Sequence, residues 1–306
     1  MNYSVVIPLY NEEENLNPLI EALVPALEQL SGTYEIIFVD DASTDETFNL
    51  LEKIASNRQY VKVIQLSHNC GQTAALMAGV SHTIGEIIIT LDGDLQNDPN
   101  DIPKLVKKFE EGYDLVSGWR KVRHDKYLTR VLPSIIANTL ISYLSGVPLN
   151  DFGCTLKAYR GSFLRNLKLY GEMHRLIPIY MAWEGAAIAE VEIKHFARKF
   201  GESKYGLSRI FKVSMDLITV KFLESYVTKP LYAFGGIGLF LVFLGVVSII
   251  WRALLGSEKL GLPGGVVILM GVQFLLMGVL AELIIRGYHE STDKKIYKIR
   301  RMLNIA

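Results

Sequence analysis

Cysteine is nearly absent from this chain. Of 306 residues only Cys70 and Cys154 are cysteines, far apart and with no Cys-x-x-Cys or His-x-x-x-His companion. That scarcity excludes a zinc knuckle and a disulfide framework, and it suits a reducing cytosol. A basic segment leading into an apolar one is also missing at the start, because the strand-like run from Asn2 to Leu9 begins almost at once. No cleavable signal peptide is expected. Net charge is missing too, with 32 Lys+Arg against 32 Asp+Glu, but the balance conceals a split. Residues 1–120 carry 19 acidic and 7 basic side chains (net −12), and residues 121–306 carry 13 and 25 (net +12). Cations in the second half alternate with long apolar segments, which points to a membrane surface and away from a nucleic acid.

What the second half has is apolar length. Leu231–Trp251 runs 21 residues without a charge and Leu260–Ala281 runs 22, and roughly 20 residues cross a bilayer. Two transmembrane helices are expected, at about 231–251 and 262–285, joined as a hairpin by the short Arg252–Lys259 connection. That connection holds two cations, whereas Arg286, Lys294, Lys295, Lys298, Arg300 and Arg301 follow the second span. The positive-inside rule then places a basic tail, 286–306, and the N-terminal domain on the cytoplasmic side of the cell membrane. Glu282, at the inner end of the second span, reads as snorkelling or pairing at the interface. Gly235, Gly236, Gly238, Gly245, Gly271 and Gly278 permit close helix contact, including contact between copies of the chain.

Two further stretches, 127–144 and 208–229, have an amphipathic pattern with flanking Lys and Arg. Such helices either lie in the headgroup plane or pack their apolar face on a soluble core. Adjacency to a span favours the interfacial reading for the second; for the first both stay open.

The first half alternates short β-rich runs with helical patterns, the signature of an α/β domain with a mostly parallel sheet. Strands are expected at Tyr3–Leu9, Glu35–Val39, Val61–Leu66 and Glu86–Leu91. Asn11 is expected to cap a helix through Gln29, and Ser43-Thr44-Asp45-Glu46 reads as a capping box. Asp40, Asp41, Asp92 and Asp94 all fall at the carboxyl ends of strands, where open α/β sheets bind ligands.

Asp92-Gly93-Asp94 closes an apolar strand on a tight turn, so its carboxylates converge. Mg²⁺ or Mn²⁺ held there could bridge a diphosphate and neutralise a departing nucleotide. A carboxylate of Val39-Asp40-Asp41-Ala42-Ser43-Thr44-Asp45 can accept hydrogen bonds from a base or ribose, or merely cap the next helix. Asn69-Cys70-Gly71-Gln72 opens a helix of small residues whose N-terminus could favour phosphate or simply pack tightly on the sheet. In Asp151-Phe152-Gly153-Cys154-Thr155, Asp151 could orient an acceptor, deprotonate it, or cap a helix. Arg198-Lys199-Phe200-Gly201-Glu202-Ser203-Lys204 sets Arg198 and Lys204 around a Gly/Ser turn suited to a lipid phosphate, with Ser203 beside them.

Taken together, VVIPLYNEEENL (5–16), VDDASTD (39–45), LDGDLQNDP (91–99), DFGCTLKAYR (151–160) and RKFGESKYGLSRI (198–210) resemble the family-2 glycosyltransferases of GT-A fold. The resemblance is to the branch that glycosylates polyprenyl phosphates, among them dolichol-phosphate mannose synthases, bactoprenol glucosyltransferases and the formamido-arabinose transferases. It implies a cytoplasmic GT-A domain over 1–207, an interfacial helix over 208–229 and the hairpin within 230–285. It implies an inverting transfer from a nucleotide-sugar, a UDP-sugar ahead of GDP-mannose, to a polyprenyl phosphate. Pro8, Tyr10, Glu12 and Asp40 or Asp41 would line the nucleoside pocket, Asp92 and Asp94 would hold the metal, and Gln96 would stand beside the diphosphate. Arg120, Arg130 and Ser134 would meet donor or acceptor phosphate, Arg198, Ser203 and Lys204 the lipid phosphate, and Asp151 is the candidate catalytic carboxylate. The Q-x-x-R-W motif of processive polysaccharide synthases is missing: none of Trp119, Trp183 and Trp251 follows an arginine. The intact acids at 92, 94 and 151 argue against a non-catalytic scaffold.

Overall fold

The run Asn2–Leu9 (β1) is buried along nearly its whole length, as only a strand in the middle of a covered sheet can be. In the computed structural model, which describes residues 2–121, 132–167, 169, 173–197, 230–255, 264–291 and 297–305, β1 lies between two parallel neighbours. The elements follow as α1 (Glu13–Glu28), β2 (Thr33–Asp40), α2 (Thr47–Asn57), β3 (Val61–Leu66), α3 (Gln72–Val80) and β4 (Ile87–Thr90). Next come α4 (Ile102–Phe109), β5 (Leu115–Trp119), α5 (Leu132–Ser145), β6 (Lys157–Arg160), α6 (Gly161–Asn166), α7 (Ile177–Trp183) and β7 (Ile188–Glu192). The chain continues through α8 (Pro230–Leu255) and α9 (Gly264–Ser291) to β8 (Ile299–Leu303). The sheet runs β7-β5-β6-β4-β1-β2-β3-β8. Parallel pairings β1–β2, β1–β4 and β2–β3 make one half, and antiparallel β6 joins it to β5. Val5, Ile7, Ile36, Phe38, Val61 and Ile89 pack there with Leu16, Leu19 and Leu23 of α1 into one apolar core.

All four expected strands are present, with boundaries within two residues of those read from the pattern. The helix caps differ. Neither Asn11 nor Ser43 caps its own helix; Asp45 Oδ1 accepts from Thr47 N (3.1 Å) at the start of α2, and the remaining capping bonds run between α1 and α2. Glu12 N donates to Thr47 Oγ1 (2.9 Å) and Glu13 N to Asp45 Oδ2 (3.3 Å), while Glu46 N donates to Glu13 Oε2 (2.8 Å). Asn11, in the left-handed region at φ +53°, accepts from Thr44 N, and Ser43 Oγ accepts from Asn11 N. Orphan N–H groups of each helix start are thus satisfied across the β1–α1 and β2–α2 loops.

The tail is more than a basic extension. Its residues 299–303 form β8, which pairs antiparallel with β3 and completes the sheet. Ser67 N donates to Lys298 O (2.8 Å), and Asn304 Nδ2 donates to the carbonyls of Ala55, Arg58 and Val61. The tail's side chains add an Arg301–Glu52 ion pair and a Tyr297–Ser81 hydroxyl contact.

The chain divides into two compact units, residues 1–216 with 295–306, and residues 217–294. In the second unit α8 and α9 are each long and apolar enough to cross a membrane. Leu239, Phe240, Phe243, Leu254, Leu269 and Leu276 are all more than half exposed, which a soluble core helix would not tolerate. The two helices meet through glycine. A Cβ on Gly238 would fall 2.7 Å from Gly271 O, and one on Gly245 would fall 2.7 Å from Gly264 O. Close backbone approach of this kind drives helix association where no hydrophobic effect operates. Gly238, Gly245 and Gly271 are therefore used within the hairpin itself.

Candidate active site

The aspartate turn follows β4. Gly93 is required there by space, since a Cβ would stand 2.2 Å from Leu9 Cδ2. Asp94 accepts from Gln96 N (3.2 Å), which closes the turn. Asp92 Oδ1 accepts from Gln72 Nε2 at 2.7 Å, and Thr155 also hydrogen-bonds its carboxylate. Burial, then the neighbouring charge of Asp94, pushes Asp92 up to about 6, against hydrogen bonding from Thr155 and the pull of Arg120 and Arg175. Two mutually repelling carboxylates at a strand end form a pair whose charge a divalent cation would neutralise.

Among the described residues no three His, Cys, Asp or Glu side chains gather into a ready-made metal cage. The donor set still fits Mg²⁺ or Mn²⁺, because a cation gripping a diphosphate is bound by one or two carboxylates, with waters and phosphate oxygens completing the shell.

Asp151 is fully buried and clasped by Arg120. The guanidinium donates from Nε to Oδ2 (2.7 Å) and from Nη2 to Oδ1 (3.0 Å), and Arg120 N adds a longer contact of 3.4 Å. Glu190 holds the loop from the other side, accepting from the backbone N–H of Asn150 and Asp151. Beside them lies Lys157, also fully buried, whose ammonium donates to the carbonyls of Phe152 and Cys154. Burial pushes this lysine down from its usual range and the Cys154 thiol up to about 11.

Asp40 and Asp41, expected from the sequence to meet a nucleoside, are committed to the protein as well. Asp41 receives Cys70 N on Oδ1 (2.7 Å) and Gly71 N on Oδ2 (2.9 Å). The anion at the start of α3 is therefore the protein's own carboxylate. Burial raises Asp41 even so, those two N–H groups working against it. Asp40 Oδ1 accepts from Ser43 N (3.1 Å) and Oδ2 from Gln65 Nε2 (3.3 Å). Residues 70–72 thus tie Asp41 directly to Asp92 through one turn of chain.

Pro8, Asp92, Gln72, Thr155, Lys157 and Arg175 line one pocket at the carboxyl edge of the sheet. Arg120 and Asp151 adjoin it, and Asp94 abuts Asp92. Tyr10 and Glu12 stand at the start of α1, where Glu12 accepts from Asn15 Nδ2, and Gln96 O accepts from Phe196 N (2.8 Å). Ser134 sits half-buried on α5. Arg130, Arg198, Ser203 and Lys204 lie outside the described residues, as does the 208–229 stretch.

The family model of Glycosyl transferase family 2 matches residues 4–178. The chain belongs to that family. The dodecaprenyl-phosphate galacturonate synthase of Rhizobium johnstonii is 39% identical over 316 residues, spanning 99% of this chain and 94% of the relative. The undecaprenyl-phosphate 4-deoxy-4-formamido-L-arabinose transferase of Shewanella sediminis is 37% identical, over 98% of this chain and 92% of its own length. Among solved structures, the glucosyl-3-phosphoglycerate synthase of Mycobacterium tuberculosis, in complex with Mn²⁺, UDP and glucosyl-3-phosphoglycerate, matches at a TM-score of 0.56. That match has 22% identity and covers 73% of this chain and 79% of the other. It shows that this family-2 glycosyltransferase has the GT-A fold.

Gln72, Thr155, Lys157 and Arg175 line the pocket of this glycosyltransferase without having been assigned a role of their own from the sequence, although Gln72 and Thr155 lie in segments read there. Thr155 and Lys157 lie inside the motif around Asp151, where a lysine between apolar neighbours was the available signal. Arg175 lies in Met173-His174-Arg175-Leu176, a cationic pair entering an apolar helix, and nothing in its periodicity marks it out.

Proposed function

We propose that this glycosyltransferase moves a sugar, with inversion, from a UDP-sugar to the phosphate of a membrane polyprenyl phosphate. The observation that carries the reading is collinearity. Relatives named for that acceptor class align along 98–99% of this chain, through both the sheet and the hairpin. The aspartate turn, the Arg120–Asp151 clasp and the two apolar helices are the parts such a reaction needs.

In this reading Asp92 and Asp94 would hold the divalent cation, Mg²⁺ or Mn²⁺, which supplies charge neutralisation for the departing nucleoside diphosphate. Asp40 or Asp41, with Pro8, Tyr10 and Glu12, shapes the nucleoside side, and Gln96 stands beside the diphosphate. Asp151 acts by orienting Arg120, whose guanidinium faces the developing charge beside Asp92. A strong general base is unnecessary, because the attacking phosphate oxygen is already anionic near neutral pH. Positioning and preorganised charge therefore supply most of the acceleration. Arg130, Ser134, Arg198, Ser203 and Lys204 are proposed to meet the acceptor phosphate.

The hairpin α8–α9 is proposed to cross the cell membrane, with the catalytic domain and tail in the cytoplasm. β8 supports an even number of crossings, since residues on either side of the hairpin share one sheet. Ile135, Leu140 and Tyr143 of α5 are 50%, 45% and 85% exposed, an apolar face suited to the headgroup plane.

The test is a donor screen with purified full-length protein, undecaprenyl phosphate and Mg²⁺ or Mn²⁺, reading product lipids by mass spectrometry. A polyprenyl-phosphate-sugar formed from a UDP-sugar is expected. GDP-mannose as the sole productive donor would move the reading to the mannose-synthase type, and no glycolipid from any donor would reject it.

A further inference from the structure

Gln72 is the first residue of α3, and the helix beneath it is held from several sides. α3 lies so close on β1 and β2 that a Cβ on Gly79 would fall 2.4 Å from Val6 Cγ1 and 3.0 Å from Val39 Cγ2. Thr73, Ala74, Ala75, Ala78 and Val80 are buried along it. Its first turn is tied down again at both flanks. Cys70 N and Gly71 N donate to the two oxygens of Asp41, and Thr73 Oγ1 lies 2.8 Å from His174 Nδ1. From this platform the Gln72 side chain, half-buried and lining the pocket, donates from Nε2 to Asp92 Oδ1 at 2.7 Å.

Asp92 stands past the end of its strand. β4 closes at Thr90, whose ladder partners are Val6 and Lys157. Leu91 N makes one more bond, to Val6 O (3.2 Å), and by Leu95 the chain is left-handed at φ +57°. The sheet therefore fixes the backbone up to Leu91 and leaves the Asp92 carboxylate to be oriented by side chains. A carboxylate offers about four lone-pair positions. Gln72 occupies one and so sets the plane of the others. Being a neutral amide, it orients the group without cancelling its charge, as a lysine or arginine in its place would. Those properties suit a carboxylate that is to bind a cation, because the hydrogen-bonding partners of metal-ligating carboxylates fix their orientation.

We propose that Gln72 is a positioning residue for the divalent cation, holding the Asp92 carboxylate from the α3 platform so that it can share one ion with Asp94. The inference rests on the reading of Asp92 and Asp94 as the metal-holding pair and adds the side chain that presets it. It also separates two functions of one turn of chain. The backbone N–H groups of Cys70 and Gly71 serve Asp41, and the side chain of the next residue serves Asp92. Loss of the Gln72 amide should therefore act on the metal and spare metal-free nucleotide binding, whereas displacement of the whole turn would disturb both.

The experiment uses full-length protein in nanodiscs, native and as Gln72→Met, Gln72→His and Asp94→Asn. Mn²⁺ affinity is measured by paramagnetic resonance, UDP affinity in chelator by titration calorimetry, and the Mn²⁺ concentration that half-saturates turnover by product analysis. Gln72→Met keeps the length of the side chain and removes its N–H. It is expected to weaken Mn²⁺ binding by about tenfold or more and to raise the half-saturating Mn²⁺ in step, with metal-free UDP affinity within about twofold of native. Gln72→His, which restores a neutral N–H donor, is expected to recover part of the loss. Native Mn²⁺ affinity in Gln72→Met would overturn the proposal. So would an equal fall in Mn²⁺ and metal-free UDP affinity in both Gln72 variants, which marks a packing role for the turn. If native protein binds no Mn²⁺, or Asp94→Asn binds it as native does, the metal-pair reading falls and takes this inference with it. If Asp94→Asn loses Mn²⁺ while Gln72→Met retains it, only the role of Gln72 falls. Should native protein bind Mn²⁺ yet make no glycolipid, the acceptor reading falls, while the resonance titrations still decide Gln72.

Discussion

Arg120 and Asp151 form a two-pronged pair, Nε to Oδ2 at 2.7 Å and Nη2 to Oδ1 at 3.0 Å, with the carboxylate sealed from solvent. A base that must collect a proton from an incoming substrate needs an accessible lone pair. A carboxylate that locks a guanidinium needs the opposite, full enclosure and occupied oxygens. The pair has the second set of properties, and the two roles predict different mutants.

Asp151→Asn should lower stability by about 3 kcal/mol, because it strands a mostly buried guanidinium, and should cut kcat by roughly 100-fold through displaced charge. The double variant Arg120→Met/Asp151→Asn should be more stable than Asp151→Asn alone. Chemical denaturation and turnover check both. An Asp151→Asn protein with native stability and no turnover would instead support a proton-transfer role.

Asp94→Asn is expected to abolish turnover and Mn²⁺ binding while leaving membrane insertion and thermal unfolding close to native. Mn²⁺ paramagnetic resonance reports binding without relying on activity. Normal turnover in this variant would discredit the aspartate turn as the metal site.

The raised Asp92 has a signed pH consequence. An acid whose folded value stands near 6, above about 4 unfolded, keeps its proton in the native state while the unfolded chain has lost it. Its stabilising contribution is fully present below about pH 4 and is lost as pH rises through about 6. Metal-free protein should therefore lose on the order of 1–2 kcal/mol from this group between pH 4 and 6.5, a figure reduced for its partial exposure. Mn²⁺ affinity should weaken about tenfold per unit below pH 6 by proton competition. Melting curves of native and Asp92→Asn protein in chelator test the first statement, since their difference should vary over this window and be flat outside it.

Thr47→Val removes the hydroxyl that receives Glu12 N across the reciprocal caps. A loss of about 1 kcal/mol is expected, measured by denaturant midpoint. The same substitution in a helix capped within itself would loosen one helix; here proteolysis should speed up in both loops.

Gly271→Val would drive a side chain into Gly238 O, 2.6 Å from the position of its Cβ. The variant should separate α8 from α9, seen as lost cross-linking between cysteines placed along that seam, with UDP affinity unchanged.

The sheet was legible in the sequence because its central strands are uniform apolar runs bounded by polar turns, and the two long apolar helices because charge-free length has few other uses. The aspartate turn was legible for the same reason, a carboxylate pair ending an apolar strand. The caps were misread because Ser43 and Asn11 have the right chemistry for a local cap, and only folding brings the two loops against each other. β8 was read as a basic tail because Arg300 and Arg301 dominate a five-residue strand whose partner, β3, lies more than two hundred residues earlier. Lys157 and Arg175 escaped notice because their importance comes from burial and from proximity to Asp92, which no spacing records.

The return of the chain as β8 changes how this enzyme can be cut. The two apolar helices are an insertion in the glycosyltransferase domain, not an appendage to it. Stopping translation ahead of them, the usual route to a soluble fragment, would also strip β3 of its outer partner and leave an open sheet edge prone to aggregation. A well-behaved soluble version would have to splice 297–305 back on in place of the excised hairpin.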